Sequence, residues 1–219
     1  MDILSRLIAF VIFIFLLPVF TMISVICLIF NGRPIFFEQT RVGYNYRLFK
    51  IIKFRTMRKN NGSLITELND KRVTIIGNFL RKSKFDEIPQ LLNIIKGDMR
   101  FIGPRPEVPE FFDENYFSFL KIIKPGISDY ASIILRNEDK ILKRIGGDNP
   151  YKRLLPVKIE LANYYASKKS FMLDLKLVMI TIFAIISTRI SSRFLKLPKI
   201  SKDLPNLKLF LDNYVFQHQ

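Results

Sequence analysis

The chain has almost none of the side chains that most nucleophilic and zinc enzymes use. Its 219 residues contain one histidine, His218, one cysteine, Cys27, and no tryptophan. A lone histidine beside the C-terminus excludes Ser-His-Asp triads, Cys-His pairs and histidine zinc sites, and a lone cysteine excludes an intrachain disulfide. Chemistry is therefore left to carboxylates, cations and hard metal ions, and we expect most of the chain to face a reducing cytoplasm.

Acidic residues are also scarce, with 19 Asp and Glu against 35 Lys and Arg and a net charge of +16. Such an excess attracts polyanions such as anionic lipid headgroups, nucleotides, phosphosugars or nucleic acid. Charge alone does not choose among them. The length allows one catalytic domain with a membrane segment but hardly two full domains.

One uncharged run, from Leu7 to Phe30, is long enough to cross a membrane. At about 1.5 Å per residue it exceeds a hydrocarbon core of about 30 Å, and it lacks the short length and cleavage site of a signal peptide. We therefore expect a retained anchor over 1–32. Pro18, preceded by Leu17, either kinks a spanning helix or breaks it into a re-entrant hairpin, and periodicity leaves both open. Basic residues after Arg33 favour the cytoplasmic face for the rest.

A second apolar stretch, Leu177–Ser187, is too short to span a bilayer. Its basic flanks are typical of a helix lying in the membrane interface beside anionic lipid, but a buried core helix is an equally good interpretation. Beyond it, residues 189–219 are expected to form a loosely attached basic extension.

Two apolar segments, Pro34–Thr40 and Arg47–Met57, flank Gly43–Asn45 and predict a β-hairpin. Strand side chains alternate between faces, so Lys53 and Arg55 should project together. Two cations on one face are either a solvated edge or half of a phosphate clamp. Taken alone, the pattern favours the solvated edge.

An acidic pair, Asp86 and Glu87, stands just before a predicted helix that begins near Pro89 and stops at Gly97. An acidic residue in that place is usually a helix cap worth about 1 kcal/mol. Here three cations lie just upstream and a rigid Gly-Pro-Arg-Pro-Glu loop, Gly103–Glu107, follows closely. Carboxylates among cations near a helix N-terminus favour phosphoryl transfer, and the absence of a Walker glycine loop argues against a P-loop enzyme.

Five motifs together then resemble one family. In chain order they are Lys53–Met57, Asp86–Asn93, Lys96–Met99, Gly103–Glu107 and Lys124–Ile127. They are similar to those of the bacterial sugar transferases, the monotopic polyprenol-phosphate phosphoglycosyl transferases, and the similarity extends to about Thr188. It implies an α/β fold, mostly helical with a small β-hairpin or sheet, a re-entrant N-terminal helix broken near Leu17 and Pro18, and interfacial amphipathic helices. The catalytic domain would cover 33–188.

The resemblance also implies a reaction. Asp86 would attack the β-phosphate of a UDP-sugar, UMP would leave, and the phosphosugar would pass from Asp86 to a polyprenol phosphate such as undecaprenyl phosphate. This is the first membrane step of glycan assembly. Glu87 would act as base or metal ligand, and Mg²⁺ would be held by Asp86, Glu87 and Glu107. The phosphate contacts carried over from the motifs are Lys53, Arg55, Arg81, Arg105 and Arg136.

The same resemblance places the protein at the bacterial inner membrane, with the catalytic domain on the cytoplasmic face, anionic lipids as neighbours and no nucleic-acid partner. The chain departs from the family where many members read Pro-Gly-Ile-Thr-Gly-Trp-Ala-Gln, since it has Ser128, Asp129 and Tyr130 after Ile127. It resembles the minimal form without additional N-terminal helices. The competing hypothesis, a non-enzymatic basic membrane module, explains the charge but not the acidic pair.

Overall fold

The computed structural model describes residues 2–58, 70–186 and 204–214. The helices in these ranges are α1 (Asp2–Asn31), α2 (Ile75–Ser83), α3 (Gln90–Lys96), α4 (Tyr130–Ile134), α5 (Glu138–Ile145), α6 (Pro150–Lys168), α7 (Phe171–Ile186) and α8 (Pro205–Tyr214). The strands are β1 (Phe36–Val42), β2 (Leu48–Phe54), β3 (Arg100–Ile102) and β4 (Gly126–Ser128). The predicted fold, mostly helical with small sheets, is confirmed.

Strands β1 and β2 form the predicted antiparallel hairpin, in a register that pairs Phe36 with Phe54. The turn between them passes through Asn45 and Tyr46 in the left-handed region, with φ of 50° and 62°. The rings of Phe36 and Phe54 stack at 5.5 Å, and Phe20 of α1 lies 5.1 Å from Phe54. The hairpin thus presents an aromatic face to the N-terminal helix.

Helix α1 lies against the rest of the protein along both of its halves. Ala9 is fully buried in a cluster with Ile94 of α3, and Cys27 is fully buried in a cluster with Phe54. On the outer side of α1 large apolar residues are exposed, among them Phe15 at 82%. By length and composition α1 could cross a membrane. One side therefore packs on protein while the other is suited to lipid.

Helix α1 runs from Asp2 to Asn31 with Pro18 inside it, and the break predicted near Leu17 and Pro18 stays a prediction. A proline removes one backbone hydrogen bond, and here the hydroxyl of Thr21 donates to the carbonyls of Leu17 and Pro18, at 3.0 and 2.9 Å. The re-entrant membrane geometry stays a prediction.

The second sheet and the later helices form the largest apolar core. Strands β3 and β4 are parallel, with Ile102 opposite Ser128, and α6 contributes the fully buried Leu161 and Tyr165. Helix α7 combines the two interpretations left open by its sequence, because Leu177 and Ile180 are buried in this core while Phe171, Met172 and Leu175 are exposed.

Helix α8 packs onto the same core through residues such as Leu207 and Phe210, both buried. The Glu160 carboxylate of α6 accepts hydrogen bonds from the backbone N–H groups of Asn206 and Leu207, at 3.2 and 2.8 Å. For residues 204–214, the expected loose attachment is therefore wrong, because an apolar face and a carboxylate cap fix the helix. The remainder of 189–219, and the predicted domain boundary itself, lie outside the described residues.

Candidate active site

The acidic pair lies in a tight turn between α2 and α3. Lys84, in the left-handed region at φ 63°, ends α2, and a 3₁₀ turn over Phe85–Glu87 leads into Pro89 and α3. Asp86 and Glu87 are 7% and 9% exposed. The predicted position of the pair, immediately before a helix, is confirmed.

Glu87 is held between two cations. Its Oε1 accepts a hydrogen bond from Lys53 Nζ at 2.9 Å and another from Arg105 Nη2 at 2.8 Å. Burial alone would raise the pKa of Glu87, but the charges of Arg105 and Lys53 outweigh it and hold the pKa well below its usual value. Glu87 is therefore ionised and bridges the hairpin to the Arg105 loop.

Asp86 differs from its neighbour because Oδ1 is buried and has no hydrogen-bond partner among the residues that the structure describes. Burial raises the pKa of Asp86, the charge of Glu87 raises it further, and Lys53 opposes both. An oxygen with no protein partner is not committed to a structural contact, and Asp86 lines the open cavity described below, so its carboxylate can react with an electrophile or bind a cation.

The Arg105 loop is positioned by the second sheet. Gly103 N donates to Ser128 O and Gly126 N donates to Pro104 O, each at 3.0 Å. A Cβ on Gly126 would lie 2.2 Å from Gly103 N, so these two segments approach as closely as they do only because glycine stands there. The contact fixes the chain just before the Arg105 guanidinium.

Asp129 supports the same loop and was not identified from the sequence. Its Oδ2 accepts from the Arg105 backbone N–H at 3.2 Å, and its Oδ1 accepts from Ser132 N at 2.7 Å, which caps α4. The residue is 2% exposed. The available signal was an Asp between a short strand and a helix, with Ser132 three residues later, a pattern typical of an N-cap.

Lys53 of β2 and Arg55, just beyond the end of this strand, have different partners. Lys53 reaches Glu87, whereas Arg55 donates to backbone carbonyls at the end of α1, namely Asn31, Gly32 at 2.8 Å and Arg33 at 3.1 Å. Arg55 therefore fastens the anchor to the hairpin in this structure, as cations often do at helix C-termini. Its predicted phosphate contact stays a prediction.

The side chain of Arg81, on α2, contacts the segment that follows β2. Its Nε donates to Thr56 Oγ1 at 2.9 Å, and its Nη2 lies 3.2 Å from Met57 Sδ. Burial lowers the pKa of Arg81, and the charge of Asp86 is the strongest opposing influence. This places Arg81 within electrostatic reach of the predicted nucleophile.

Glu107 does not join the acidic pair as a third metal ligand. Within the described ranges, no three acidic, cysteine or histidine side chains converge as a metal site would require. Glu107 Oε1 accepts from Val108 N at 2.9 Å and lies 3.5 Å from Arg41 Nη1, while Oε2 accepts from the Tyr151 hydroxyl. The predicted three-carboxylate set is corrected, because Arg41 and Tyr151 already satisfy this carboxylate.

All eight predicted site residues nevertheless line one open cavity of about 2090 Å³. They are Lys53, Arg55, Arg81, Asp86, Glu87, Arg105, Glu107 and Arg136. Basic side chains outnumber acidic ones among the described lining residues, which favours anionic ligands. The cavity is large enough for a nucleotide sugar together with a second phosphate-bearing substrate.

The far wall of the cavity was not foreseen from the sequence. There Lys158 Nζ donates to the Tyr151 hydroxyl at 2.9 Å and to Glu138 at 3.2 Å, and Tyr151 in turn contacts Glu107. Burial and the neighbouring carboxylates raise the pKa of the Tyr151 hydroxyl above its usual value, so it stays protonated. These residues come from α5 and α6, far from any recognised motif, which is why spacing could not reveal them.

A family model described as bacterial sugar transferase matches residues 1–188. Over 195 residues the chain is 35% identical to a UDP-N-acetylgalactosamine-undecaprenyl-phosphate N-acetylgalactosaminephosphotransferase from Aeromonas hydrophila, covering 85% of this chain and 43% of that protein.

Two further relatives differ in how much of their own length is matched. The exopolysaccharide production protein ExoY of Sinorhizobium fredii is 34% identical over 66% of this chain and 73% of its own. A UDP-glucose:undecaprenyl-phosphate glucose-1-phosphate transferase of Escherichia coli is 32% identical over 76% of this chain and 36% of its own. Because the family model matches residues 1–188, most of the chain, this chain belongs to the bacterial sugar transferase family.

Proposed function

We propose that this protein transfers a sugar phosphate from a UDP-sugar to a polyprenol phosphate, releasing UMP and forming a polyprenyl-diphospho-sugar. The names of the relatives from Aeromonas hydrophila and Escherichia coli describe reactions of this kind. The observation that carries the proposal is the Asp86 carboxylate, which has a buried, unpartnered oxygen in a basic cavity beside an apolar N-terminal helix.

Asp86 is the proposed nucleophile. One of its oxygens attacks the β-phosphorus of the UDP-sugar, a new P–O bond forms, and the bond to the bridging oxygen of the diphosphate breaks. That oxygen leaves with its electron pair as part of UMP. An oxygen of the polyprenol phosphate then attacks the same phosphorus, and the bond to Asp86 breaks, which restores the carboxylate. Two steps thus replace one direct encounter of two bulky anions.

The neighbouring residues supply charge and position. Arg105 and Lys53, fixed by Glu87, place positive charge beside the reacting phosphorus, where negative charge develops on the equatorial oxygens. Arg81 and Arg136 extend the basic lining toward the rest of the diphosphate. Glu87 serves to hold this pair of cations in place, because its Oε1 is already committed to both.

Magnesium is part of the proposal. The unpartnered Asp86 oxygen fits an ion that takes one or two carboxylates from a protein and the rest of its ligands from phosphate and water. Bound there with help from Glu87, Mg²⁺ would neutralise the diphosphate of the donor. Glu107 is not among the proposed ligands.

The membrane side of the proposal rests on α1. Its exposed apolar face would lie in the bilayer of the bacterial inner membrane, and the cavity would open at the cytoplasmic surface, where both nucleotide and lipid phosphate are available. The basic surface would favour anionic lipids around it.

A panel of UDP-sugars tests the function directly. The purified full chain is incubated with each donor, polyprenol phosphate and Mg²⁺, and UMP and the lipid product are measured. We expect UMP release with one donor or a small group of donors, dependent on the lipid acceptor for full turnover and abolished by chelation of the metal. No UMP release with any UDP-sugar would overturn the proposal.

A further inference from the structure

Helix α2 has two apolar sides, of which only one is packed. Ile76 and Leu80 join a cluster with Ile23 and Cys27 of α1, and Leu80 is 2% exposed. A Cβ on Gly77 would lie 2.0 Å from the Thr56 carbonyl oxygen, so α2 is seated tightly on the end of the hairpin. The position of the helix is therefore fixed on this side.

The other side of α2 carries Ile75 and Phe79, which are 91% and 61% exposed. Residues four apart are neighbours on a helix surface, so the two side chains form one stripe, which we call the α2 apolar pair. Exposed large apolar groups that lie together usually mark a binding surface, whereas single ones are common on any protein.

The location of the α2 apolar pair is informative. Ile75 lines the cavity that contains Asp86, and so does Lys82, seven residues further along α2. Arg58 and Arg81 line the same cavity. The stripe runs from Ile75, which lines the cavity, to Phe79, which does not, and cations lie close to it in the lining. Such a surface matches an amphiphile that joins a hydrocarbon tail to an anionic head. It does not match a nucleotide sugar, which is polar throughout.

On this basis, and resting on the proposed function, we propose that the α2 apolar pair holds the isoprenoid tail of the acceptor and guides its phosphate to Asp86. Because α2 packs against α1 through Ile76 and Leu80, the pair lies on a helix adjacent to the exposed apolar face of α1, from which the tail would reach it. The phosphate head then meets the cations of the cavity lining, among them Arg58, Arg81 and Lys82. The donor, which is polar along its length, does not need the pair for binding.

The test separates the two half-reactions. Exchange of labelled UMP into the UDP-sugar requires only the donor and Asp86, whereas full turnover also requires the acceptor. The double variant Ile75→Ser with Phe79→Ser is assayed in vesicles with a long-chain polyprenyl phosphate and with a water-soluble short-chain prenyl phosphate. We expect about a tenfold or larger loss of kcat/KM for the long-chain acceptor, with UMP exchange and short-chain turnover changed less than about twofold.

A matched control is available on α7. Phe171 and Met172 are 64% and 71% exposed and do not line the cavity. The variant Phe171→Ser with Met172→Ser removes a similar apolar area and should leave the ratio of long-chain to short-chain turnover unchanged. The conservative variant Ile75→Leu with Phe79→Leu keeps the surface apolar and should retain the long-chain activity of the unmodified protein.

Two results would overturn the inference while leaving the proposed function intact. One is unchanged long-chain turnover in the α2 serine variant, and the other is an equal loss in the α2 and α7 variants, which would indicate general membrane contact. Absence of UMP exchange in the unmodified protein would overturn the proposed function, and the tail site with it.

Discussion

Two regions of the cavity each place a buried carboxylate among cations. They differ in whether the oxygens of that carboxylate have hydrogen-bond partners. At the far wall, both oxygens of Glu107 have partners in Arg41, Tyr151 and a backbone N–H. In the turn before α3, one oxygen of Asp86 is buried with none among the described residues. A fully partnered carboxylate stabilises the fold, whereas an unpartnered one is destabilising to keep ionised and is available for reaction.

The largest expected effect is that of Asp86→Asn. We expect UMP exchange and UMP release to fall on the order of a thousandfold or more, because an amide cannot form the acyl phosphate. Burial raises the pKa of Asp86, so its ionised form opposes folding at neutral pH, and the neutral amide should leave stability unchanged or increased. The rates of UMP exchange and release and the free energy of unfolding in denaturant are measured on the same preparation.

Glu107→Gln removes the same charge from the other region and serves as the matched comparison. Here the loss should appear in stability, with the free energy of unfolding lowered by about 1–3 kcal/mol as Arg41 and Tyr151 lose a charged acceptor. Turnover should stay within about tenfold of the unmodified protein. If this variant were as inactive as Asp86→Asn while fully stable, the contrast between the two regions would be wrong.

How far the sequence predicts the site depends on the range of the contacts. The hairpin, the acidic pair before α3 and the stop at Gly97 follow from local periodicity and turn residues, and the structure confirms them. The partners of those residues are set by long-range packing, which spacing does not encode. Hence Arg55 was expected at phosphate but contacts the end of α1, and Glu107 was expected at a metal but contacts Arg41 and Tyr151.

The variant Asp129→Asn tests a buried carboxylate that does not contact the reacting atoms but positions the Arg105 loop. An asparagine can keep the cap to Ser132 N through its oxygen, but it presents an amide nitrogen to the Arg105 N–H. We expect the donor KM to rise about tenfold while the unfolding midpoint changes little, since the Arg105 loop shifts and the helix cap remains. An unchanged KM together with a lowered midpoint would show that Asp129 acts only as a cap.

The smallest expected effect is a shift in pH dependence. The proposed mechanism needs ionised Asp86, so activity should fall as the pH drops through its raised pKa. The charge of Lys53 favours the ionised form, and Lys53→Gln should therefore move the acid limb of kcat/KM for UMP exchange to higher pH. A limb that stays in place or moves to lower pH would show that another group controls it.

The most direct test of the central claim is to look for the covalent phosphosugar. The full chain is incubated with the active UDP-sugar in the absence of acceptor, quenched and analysed by peptide mass spectrometry. The account predicts a phosphosugar adduct on the peptide that contains Asp86, lost when polyprenol phosphate is added and absent from Asp86→Asn. An adduct on another residue, or UMP exchange without any adduct in a rapidly quenched sample, would contradict it.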